Sequence, residues 1–171
     1  MTTTYQESPP EELAALAGKY LTFQLGDDSF GVPVTKVQEI IRLPAITPVP
    51  HMPAHVRGVT NLRGRVIPVV DLRARLGLPP LAAAPRTCMI VVHLRLATGG
   101  QSSVGLIVDA VEEVLLFGPA ELEPPPGLDD SAPRATSHIL GLAKFRGTVK
   151  ALLNIDSLIL GTSTPVLPPT R

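Results

Sequence analysis

The segment GVTNLRGRVIPVVDL, at residues 58–72, consists of two apolar runs on either side of Arg-Gly-Arg. Two short apolar runs joined through a glycine are typical of a β-hairpin with a tight turn. Such turns usually carry Asn-Gly or Asp-Gly, whereas Arg63 and Gly64 stand here. The segment therefore predicts a hairpin, and it raises the question of what the Arg63 side chain binds.

The hairpin pattern occurs a second time, 83 residues later, as GLAKFRGTVKALLNI from Gly141. Four positions of the two segments match: Gly58, Arg63, Gly64 and Val66 align with Gly141, Arg146, Gly147 and Val149. Upstream, FGVPVTKVQEII aligns with VGLIVDAVEEVLL at a shift of 74, which places Gly31, Val37 and Glu39 on Gly105, Val111 and Glu113. Matches in the same order indicate an internal repeat.

The repeat and the composition predict a mainly β protein. Nineteen prolines and fourteen glycines punctuate a chain rich in valine, isoleucine and leucine, which favours short strands and frequent turns. Each repeat holds about five strands, and small antiparallel sheets avoid exposed edges by closing into barrels. We expect two tandem five-stranded barrels that pack together, with short helices, because each alone has a marginal core.

The domain boundaries follow from the same pattern. We expect a flexible extension at 1–18, a first barrel unit at 19–78, a second at 86–160 and a flexible tail at 161–171, within one domain spanning 19–160. Strands can exchange between the two units. Within the first unit, Asp71 is placed to cap a short helix before Gly77, and residues 35–41 suit either a helical turn or the start of a strand.

Charge and hydropathy limit the location and the partners. Fifteen basic and fifteen acidic residues cancel, which disfavours a general polyanion binder. The chain begins without the basic and apolar regions of a signal peptide, and no apolar run reaches the length of a membrane span. With one cysteine, Cys88, no internal disulfide can form. We expect a soluble, cytoplasmic protein that does not insert into a membrane.

Catalytic and metal-binding patterns are missing from the sequence. It contains no G-x-S-x-G, phosphate-loop or H-E-x-x-H motif. His51 and His55 have the spacing of helical metal ligands, but Pro50 and Pro53 disfavour a helix there. We therefore expect no enzyme activity, no catalytic residue, no cofactor and no metal site.

Two kinds of binding remain open from the residues alone. Six arginines lie within residues 57–86 against one acid, Asp71, so a small barrel could use this stretch to bind nucleic acid. The stretch lacks the aromatic residues on which single-stranded bases stack, which makes this the alternative hypothesis. A protein-binding surface is favoured, because arginine suits interfaces and Arg63 would be held on a rigid turn.

The motifs KVQEI at 36–40 and GVTNLRGRVIPVVDLR at 58–73 closely resemble those of the CheW family, the coupling proteins of bacterial chemosensory arrays. The resemblance extends over about residues 19–160. It implies two SH3-like β barrels around a shared apolar interior. It also implies a non-enzymatic adaptor that links the cytoplasmic tips of chemoreceptors to the regulatory domain of the histidine kinase CheA, together with possible ring contacts to other CheW-like copies.

The resemblance also implies a receptor-binding site. Its arginine would be that of the N-L-R-G motif, and its other members would come from KVQEI, from the start of GVTNLRG and from the second unit. The implied residues are Val37, Glu39, Gly58, Arg63, Val108 and Gly141. On this hypothesis an apolar groove accepts a receptor helix, and the protein acts in the cytoplasm at receptor arrays.

Overall fold

The computed structural model describes residues 11–96, 98–124 and 138–160. Two predicted features fall wholly or partly outside the described residues: the flexible extension at 1–18 and the tail at 161–171. None of the described helices is long and apolar enough to span a membrane.

The described residues form short strands and three very short helices. The strands are β1 (Gly18–Leu25), β2 (Asp28–Pro33), β3 (Val37–Arg42), β4 (Val56–Leu62), β5 (Arg65–Asp71), β6 (Cys88–Arg95), β7 (Gln101–Val108), β8 (Ala110–Phe117), β9 (Leu122–Glu123), β10 (Ile139–Phe145) and β11 (Thr148–Leu153). The helices are α1 (Glu11–Leu16), α2 (Leu72–Arg75) and α3 (Ile155–Leu160), and 3-10 turns lie at Val34–Lys36 and Pro119–Glu121. The prediction of a mainly β protein is confirmed.

The strands build two sheets, and each sheet contains strands from both halves of the chain. The five-stranded sheet has the order β3-β6-β7-β5-β4, and the six-stranded sheet has the order β8-β1-β2-β11-β10-β9. Neighbouring strands are antiparallel, except for β5 with β7 and β2 with β11, which are parallel. These two parallel contacts join strands from the two halves of the chain. The chain passes from one sheet to the other between β2 and β3 and again between β7 and β8, so the two barrels are interlocked by chain connectivity.

The sheets repeat one arrangement at the positions that the sequence aligns. Val69 lies opposite Gly105 in one parallel contact, and Leu152 lies opposite Gly31 in the other. Both hairpins have a bulge just before the aligned glycines Gly58 and Gly141: it lies between Val56 and Gly58 in one hairpin and between Ile139 and Gly141 in the other. The internal repeat predicted from the sequence is therefore a repeat of strand register as well as of residues.

The two hairpin turns have the same backbone conformation. Arg63 has a φ of 52° and Gly64 of 86°, while Arg146 has 52° and Gly147 has 80°. Each turn leaves two residues between paired strand ends, and positive φ at both of them suits the right-handed twist of the strands. Arginine rarely adopts this conformation, so the backbone at both positions is strained.

Two local predictions within the first unit are confirmed. The Asp71 carboxylate accepts a hydrogen bond of 3.0 Å from the backbone N–H of Arg73 and caps α2, which ends at Arg75 shortly before Gly77. Residues 35–41 combine both options that the sequence left open, because the 3-10 turn at Val34–Lys36 leads directly into β3.

Buried apolar side chains form three clusters. One cluster lies in the five-stranded sheet and contains Ile67, Val69, Met89, Val91 and Ile107. A second lies in the six-stranded sheet and contains Tyr20, Phe117, Leu122, Ala143 and Leu152. The largest is shared by both sheets and includes Phe23, Val32, Leu72, Ile90, Leu106 and Leu158. Two barrel cores around a common interior agree with the predicted architecture.

A buried polar group distinguishes the two barrels. In the six-stranded barrel, Lys150 donates to Ser29 Oγ at 2.7 Å and contacts Glu112 Oε1 at 3.3 Å, and its side chain is 8% exposed. Burial alone would raise the pKa of Glu112, but the bonds from Ser29 and Lys150 lower that pKa below its usual value. The charged pair is therefore stable only while both partners are present.

The five-stranded barrel has a neutral version of the same group. Ser103 donates to Gln38 Oε1 at 3.0 Å, and the aligned position of Lys150 is the buried Ile67. Ser103 and Gln38 align in turn with Ser29 and Glu112. The two repeats thus differ by a coupled exchange, in which Gln and Ile in one barrel stand where Glu and Lys stand in the other.

This exchange predicts strong coupling between Glu112 and Lys150. Lys150→Ile alone should lower the free energy of unfolding by about 2–4 kcal/mol, because it leaves a largely buried carboxylate without its cation. The double variant Glu112→Gln, Lys150→Ile should lie within about 1 kcal/mol of the wild type, since it copies the neutral arrangement. Urea unfolding of the full cycle measures both. Additive losses in the double variant would contradict the proposed equivalence.

Candidate functional site

Glu39 and Arg63, two of the predicted receptor-binding residues, form a two-pronged ion pair at the surface. Arg63 Nη1 donates to Glu39 Oε2 at 2.6 Å, and Nη2 donates to Oε1 at 2.5 Å. The Arg63 side chain is 66% exposed and that of Glu39 is 20% exposed. The bidentate geometry fixes the plane of the guanidinium group while leaving most of it open to a partner.

The ion pair also connects distant parts of the five-stranded sheet. Glu39 lies on β3 at one edge, and Arg63 lies in the turn of the β4–β5 hairpin at the other edge. Contact between them shows that the sheet curves until its edges meet. The hydrogen bond from Arg63 lowers the pKa of Glu39, and Glu39 in turn raises the pKa of Arg63. Because the pair is exposed, it orients Arg63 more than it stabilises the fold.

The strands around this pair expose apolar side chains. Ile40 follows Glu39 and is 44% exposed, and Val66 lies just after the turn and is 66% exposed. Val37, a predicted site residue, is half-buried and packs against the shared core. Sequence analysis missed Ile40 and Val66 because each lies in an apolar run that is typical of core. Their aligned positions, Val114 and Val149, are also exposed apolar residues, so an apolar side chain at both aligned positions was the sequence feature that could have indicated an exposed site.

The other three predicted site residues are buried. Val108 is fully buried in the shared core. Gly58 and Gly141 occupy equivalent places where another segment crosses the hairpin: an added Cβ would lie 2.1 Å from the Thr47 carbonyl oxygen at Gly58, and 2.8 Å from that of Glu123 at Gly141. Their surroundings account for the choice of glycine by packing, and a role for any of the three in binding stays a prediction.

The crowding at Gly58 predicts a folding defect on substitution. Gly58→Ala should lower the free energy of unfolding by about 3 kcal/mol or more, because Cβ would overlap backbone atoms at a φ of 144°. Gly64→Ala is the matched control: its φ is 86° but nothing lies within 4 Å, so only about 1–2 kcal/mol of backbone strain is expected. Equal losses by urea unfolding would contradict the steric account.

A second group of titratable side chains lies where α2 meets α3. Arg75 Nε donates to the Leu158 carbonyl at 2.8 Å, and its Nη2 lies 3.5 Å from His138 Nε2. His138 Nδ1 lies 3.1 Å from Ser157 Oγ, and His55, at the position aligned with His138, has a buried Nε2 without a hydrogen-bond partner among the described residues. Burial is the larger cause that lowers the pKa of both histidines, and the nearby charge of Arg75 lowers it further.

These lowered pKa values predict a loss of stability in mild acid. Unfolded histidine titrates near 6.5, so the neutral rings contribute full stability above that pH, and the contribution is lost as pH falls through the folded-state values. We expect the free energy of unfolding to fall as the pH is lowered from 7 to 5, by an amount that the partial exposure of the rings reduces. Urea unfolding of His55→Gln, His138→Gln should show a flatter pH dependence than the wild type. The control variant His51→Asn, in an exposed turn, should keep the pH dependence of the wild type. The same pH dependence in the wild type, the double variant and the control would contradict the assignment to His55 and His138.

Clusters that could hold a metal ion are absent from the described residues: no group of three or more His, Cys, Asp or Glu side chains is placed to do so. A recess beneath residues 81–83 is bordered by the ion pairs Arg57–Asp71, at 2.9 Å, and Arg73–Asp109, at 3.2 Å. Its charged groups therefore bind one another.

A family model described as a CheW-like domain matches residues 19–162. This chain belongs to the CheW-like family. It is 35% identical over 138 residues to the chemotaxis protein CheW of Rhizobium meliloti, covering 81% of this chain and 84% of that protein. It is 33% identical over 157 residues to protein FrzA of Myxococcus xanthus, covering 89% and 93%. The family predicted from KVQEI and NLRG is thereby confirmed.

A solved CheW structure supports the same assignment at the level of fold. The scaffolding protein TtCheW from Thermoanaerobacter tengcongensis superposes with a TM-score of 0.76 and 28% sequence identity, over 90% of this chain and 99% of that one. The CheW-like arrangement of two small barrels, predicted from the family resemblance, is therefore confirmed for this chain.

Proposed function

We propose that this CheW-like protein is a non-enzymatic adaptor of a bacterial chemosensory array. It couples the cytoplasmic tips of chemoreceptors to the regulatory domain of the histidine kinase CheA, and it acts in the cytoplasm where receptors cluster. The observation that carries the proposal is the CheW-like match across residues 19–162, which includes the turn that holds the exposed Arg63.

The receptor site is proposed at the Glu39–Arg63 pair. Arg63 presents a fixed guanidinium group with free donor positions, and Ile40 on β3 and Val66 on β5 add exposed apolar surface on the adjoining strands. Interfaces of this kind gain most of their energy from a few anchors, among which arginine is common. Val37 and Gly58 would shape the strands beneath the pair, and Val108 and Gly141 would support the site through the shared core and the second barrel.

The interlocked sheets suit an adaptor that works by geometry. Because the chain crosses between the sheets twice, from β2 to β3 and from β7 to β8, and the largest apolar cluster is shared by both sheets, the two barrels are held in a fixed relation to each other. A partner bound to one barrel is then held at a set distance and angle from a partner on the other. Such a scaffold raises the effective concentration of one partner for the other and requires no chemistry of its own. Contacts with other CheW-like copies would extend the same principle.

Four of the six arginines that suggested the nucleic-acid alternative are engaged within the protein. Arg57, Arg63 and Arg73 bind carboxylates of the protein itself, and Arg75 donates to a main-chain carbonyl. Groups engaged in this way are less available to phosphates. The stretch also lacks the aromatic side chains on which bases stack.

Reversing the charge at Arg63 tests the receptor site. Arg63→Glu should weaken binding to a receptor cytoplasmic fragment by about tenfold or more, because it removes the anchor and places two carboxylates together. The thermal unfolding midpoint should stay close to that of the wild type, since the pair is exposed. Co-sedimentation with the receptor fragment and CheA, with kinase phosphorylation read in parallel, measures the effect.

Two further variants separate anchoring from pairing. Arg146→Glu makes the same charge change in the equivalent turn of the other barrel, where Arg146 lies over the Phe145 ring, and it should leave receptor binding unchanged. Glu39→Arg, Arg63→Glu restores an ion pair with the opposite orientation. Recovery of binding in that double variant, or normal binding by Arg63→Glu, would contradict a receptor-anchoring role for Arg63.

A further inference from the structure

Exposed charges without an ion partner are distributed unevenly between the two barrels. Among the described residues, the exposed arginines without a carboxylate partner are Arg42, Arg65, Arg86 and Arg95, all in or next to the five-stranded sheet, and Arg146 in the other sheet. Among the acidic side chains that the structure describes, the exposed ones without a cation partner are Asp27, Asp28, Glu113 and Glu121, all in or next to the six-stranded sheet. With Lys19 included, the five-stranded barrel remains the basic one and the six-stranded barrel the acidic one.

Strand topology gathers part of the unpaired positive charge at one end of the five-stranded sheet. Arg65 begins β5 and Gln101 begins β7, and these strands are parallel, so both residues lie at the same end. Arg95 pairs with Gln101 across β6 and β7, and Arg63 lies in the turn before β5. We call this group, Arg63, Arg65 and Arg95, the arginine end.

The acids near the arginine end leave it with a positive surplus. Glu39 is engaged by Arg63. Asp156 accepts a hydrogen bond from the Arg95 main chain at 2.9 Å, and its other oxygen is paired with Lys36 at 2.5 Å. The guanidinium groups of Arg65 and Arg95 are therefore not neutralised by a described residue.

The equivalent end of the six-stranded sheet carries different charges. Thr148 stands at the position of Arg65, and the β1–β2 turn, which corresponds to the loop after Arg95, carries Asp27 and Asp28. The two ends share a backbone arrangement but differ in electrostatic potential. An acidic surface attracted to the arginine end would be repelled by the β1–β2 turn.

The surroundings of the arginine end suit a protein better than a nucleic acid. Val66, which follows Arg65 in β5, is exposed and apolar, and protein interfaces combine arginine with apolar surface. Residues 34–116, which include the whole five-stranded sheet, contain no Phe, Tyr or Trp to stack on bases.

We propose that the arginine end binds an acidic surface of a protein partner through Arg65 and Arg95, and that the charge difference between the barrels fixes which barrel that partner engages. This rests on the proposed adaptor function and adds the chemistry of the partner and two residues that select it. Arg63 anchors the contact, while Arg65 and Arg95 supply attraction that depends on salt.

The test measures the affinity of the full chain for a receptor cytoplasmic fragment, by titration calorimetry in 50 and 300 mM NaCl. We expect wild-type binding to weaken with salt, and Arg65→Glu, Arg95→Glu to lose about tenfold or more in affinity at low salt. The matched control is Arg42→Glu, Arg86→Glu, which changes the charge of the same barrel equally but at the Cys88 end of β6. It should lose about threefold or less.

Three results would overturn the inference. The wild type could bind the receptor fragment equally well at both salt concentrations, and both double variants could bind as tightly as the wild type. That result would be compatible with the adaptor function but would show that the arginine end takes no part in it. Equal losses in both double variants would show an effect of net charge rather than of this surface. Tighter binding of a single-stranded 20-mer oligonucleotide than of the receptor fragment, lost in Arg65→Glu, Arg95→Glu, would assign the surface to nucleic acid. Wild type that binds neither the receptor fragment nor CheA would instead refute the proposed function.

Discussion

The parallel contacts of β5 with β7 and of β2 with β11 are the constraint on which the rest of the fold depends. Each joins strands from different halves of the chain, and each has glycine at the contact. A Cβ atom would lie 2.4 Å from Met89 Sδ at Gly105 and 2.9 Å from Leu152 Cδ2 at Gly31. The neighbouring side chains would have to shift to make room for such a Cβ, so these glycines allow close packing inside the separate apolar cluster of each barrel.

Closure of the sheets in turn creates the candidate site. Glu39 and Arg63 are 24 residues apart and lie on strands at opposite edges of one sheet, so no local interaction brings them together. The strained turn fixes the Arg63 backbone, and the Glu39 carboxylate fixes its guanidinium group. An exposed arginine restrained at both ends loses little further conformational freedom when a partner binds.

Features that depend on neighbouring residues could be predicted from the sequence, and features that depend on strand partners could not. The Arg63-Gly64 and Arg146-Gly147 turns and the Asp71 cap arise within a few residues, so the local pattern was sufficient. The exchange of strands could be named only as an option, because apolar strands of similar length give no sign of which partner they choose. Burial of Lys150 was missed for the same reason: its partners Ser29 and Glu112 lie on other strands.

The two barrels share a backbone arrangement because the chain contains an internal repeat, and the side chains that differ between the repeats are the basis on which the proposed adaptor would distinguish its partners. The crossings at Gly58 and Gly141 and the matched turns leave the backbone little freedom to differ. Side chains are free to differ wherever a change in one is matched by its neighbour, as in the exchange of Gln38 and Ile67 for Glu112 and Lys150. Two identical barrels would offer every partner two equal sites. In our proposal, unequal charge at equivalent positions removes that ambiguity, because discrimination needs repulsion at the wrong site as well as attraction at the right one.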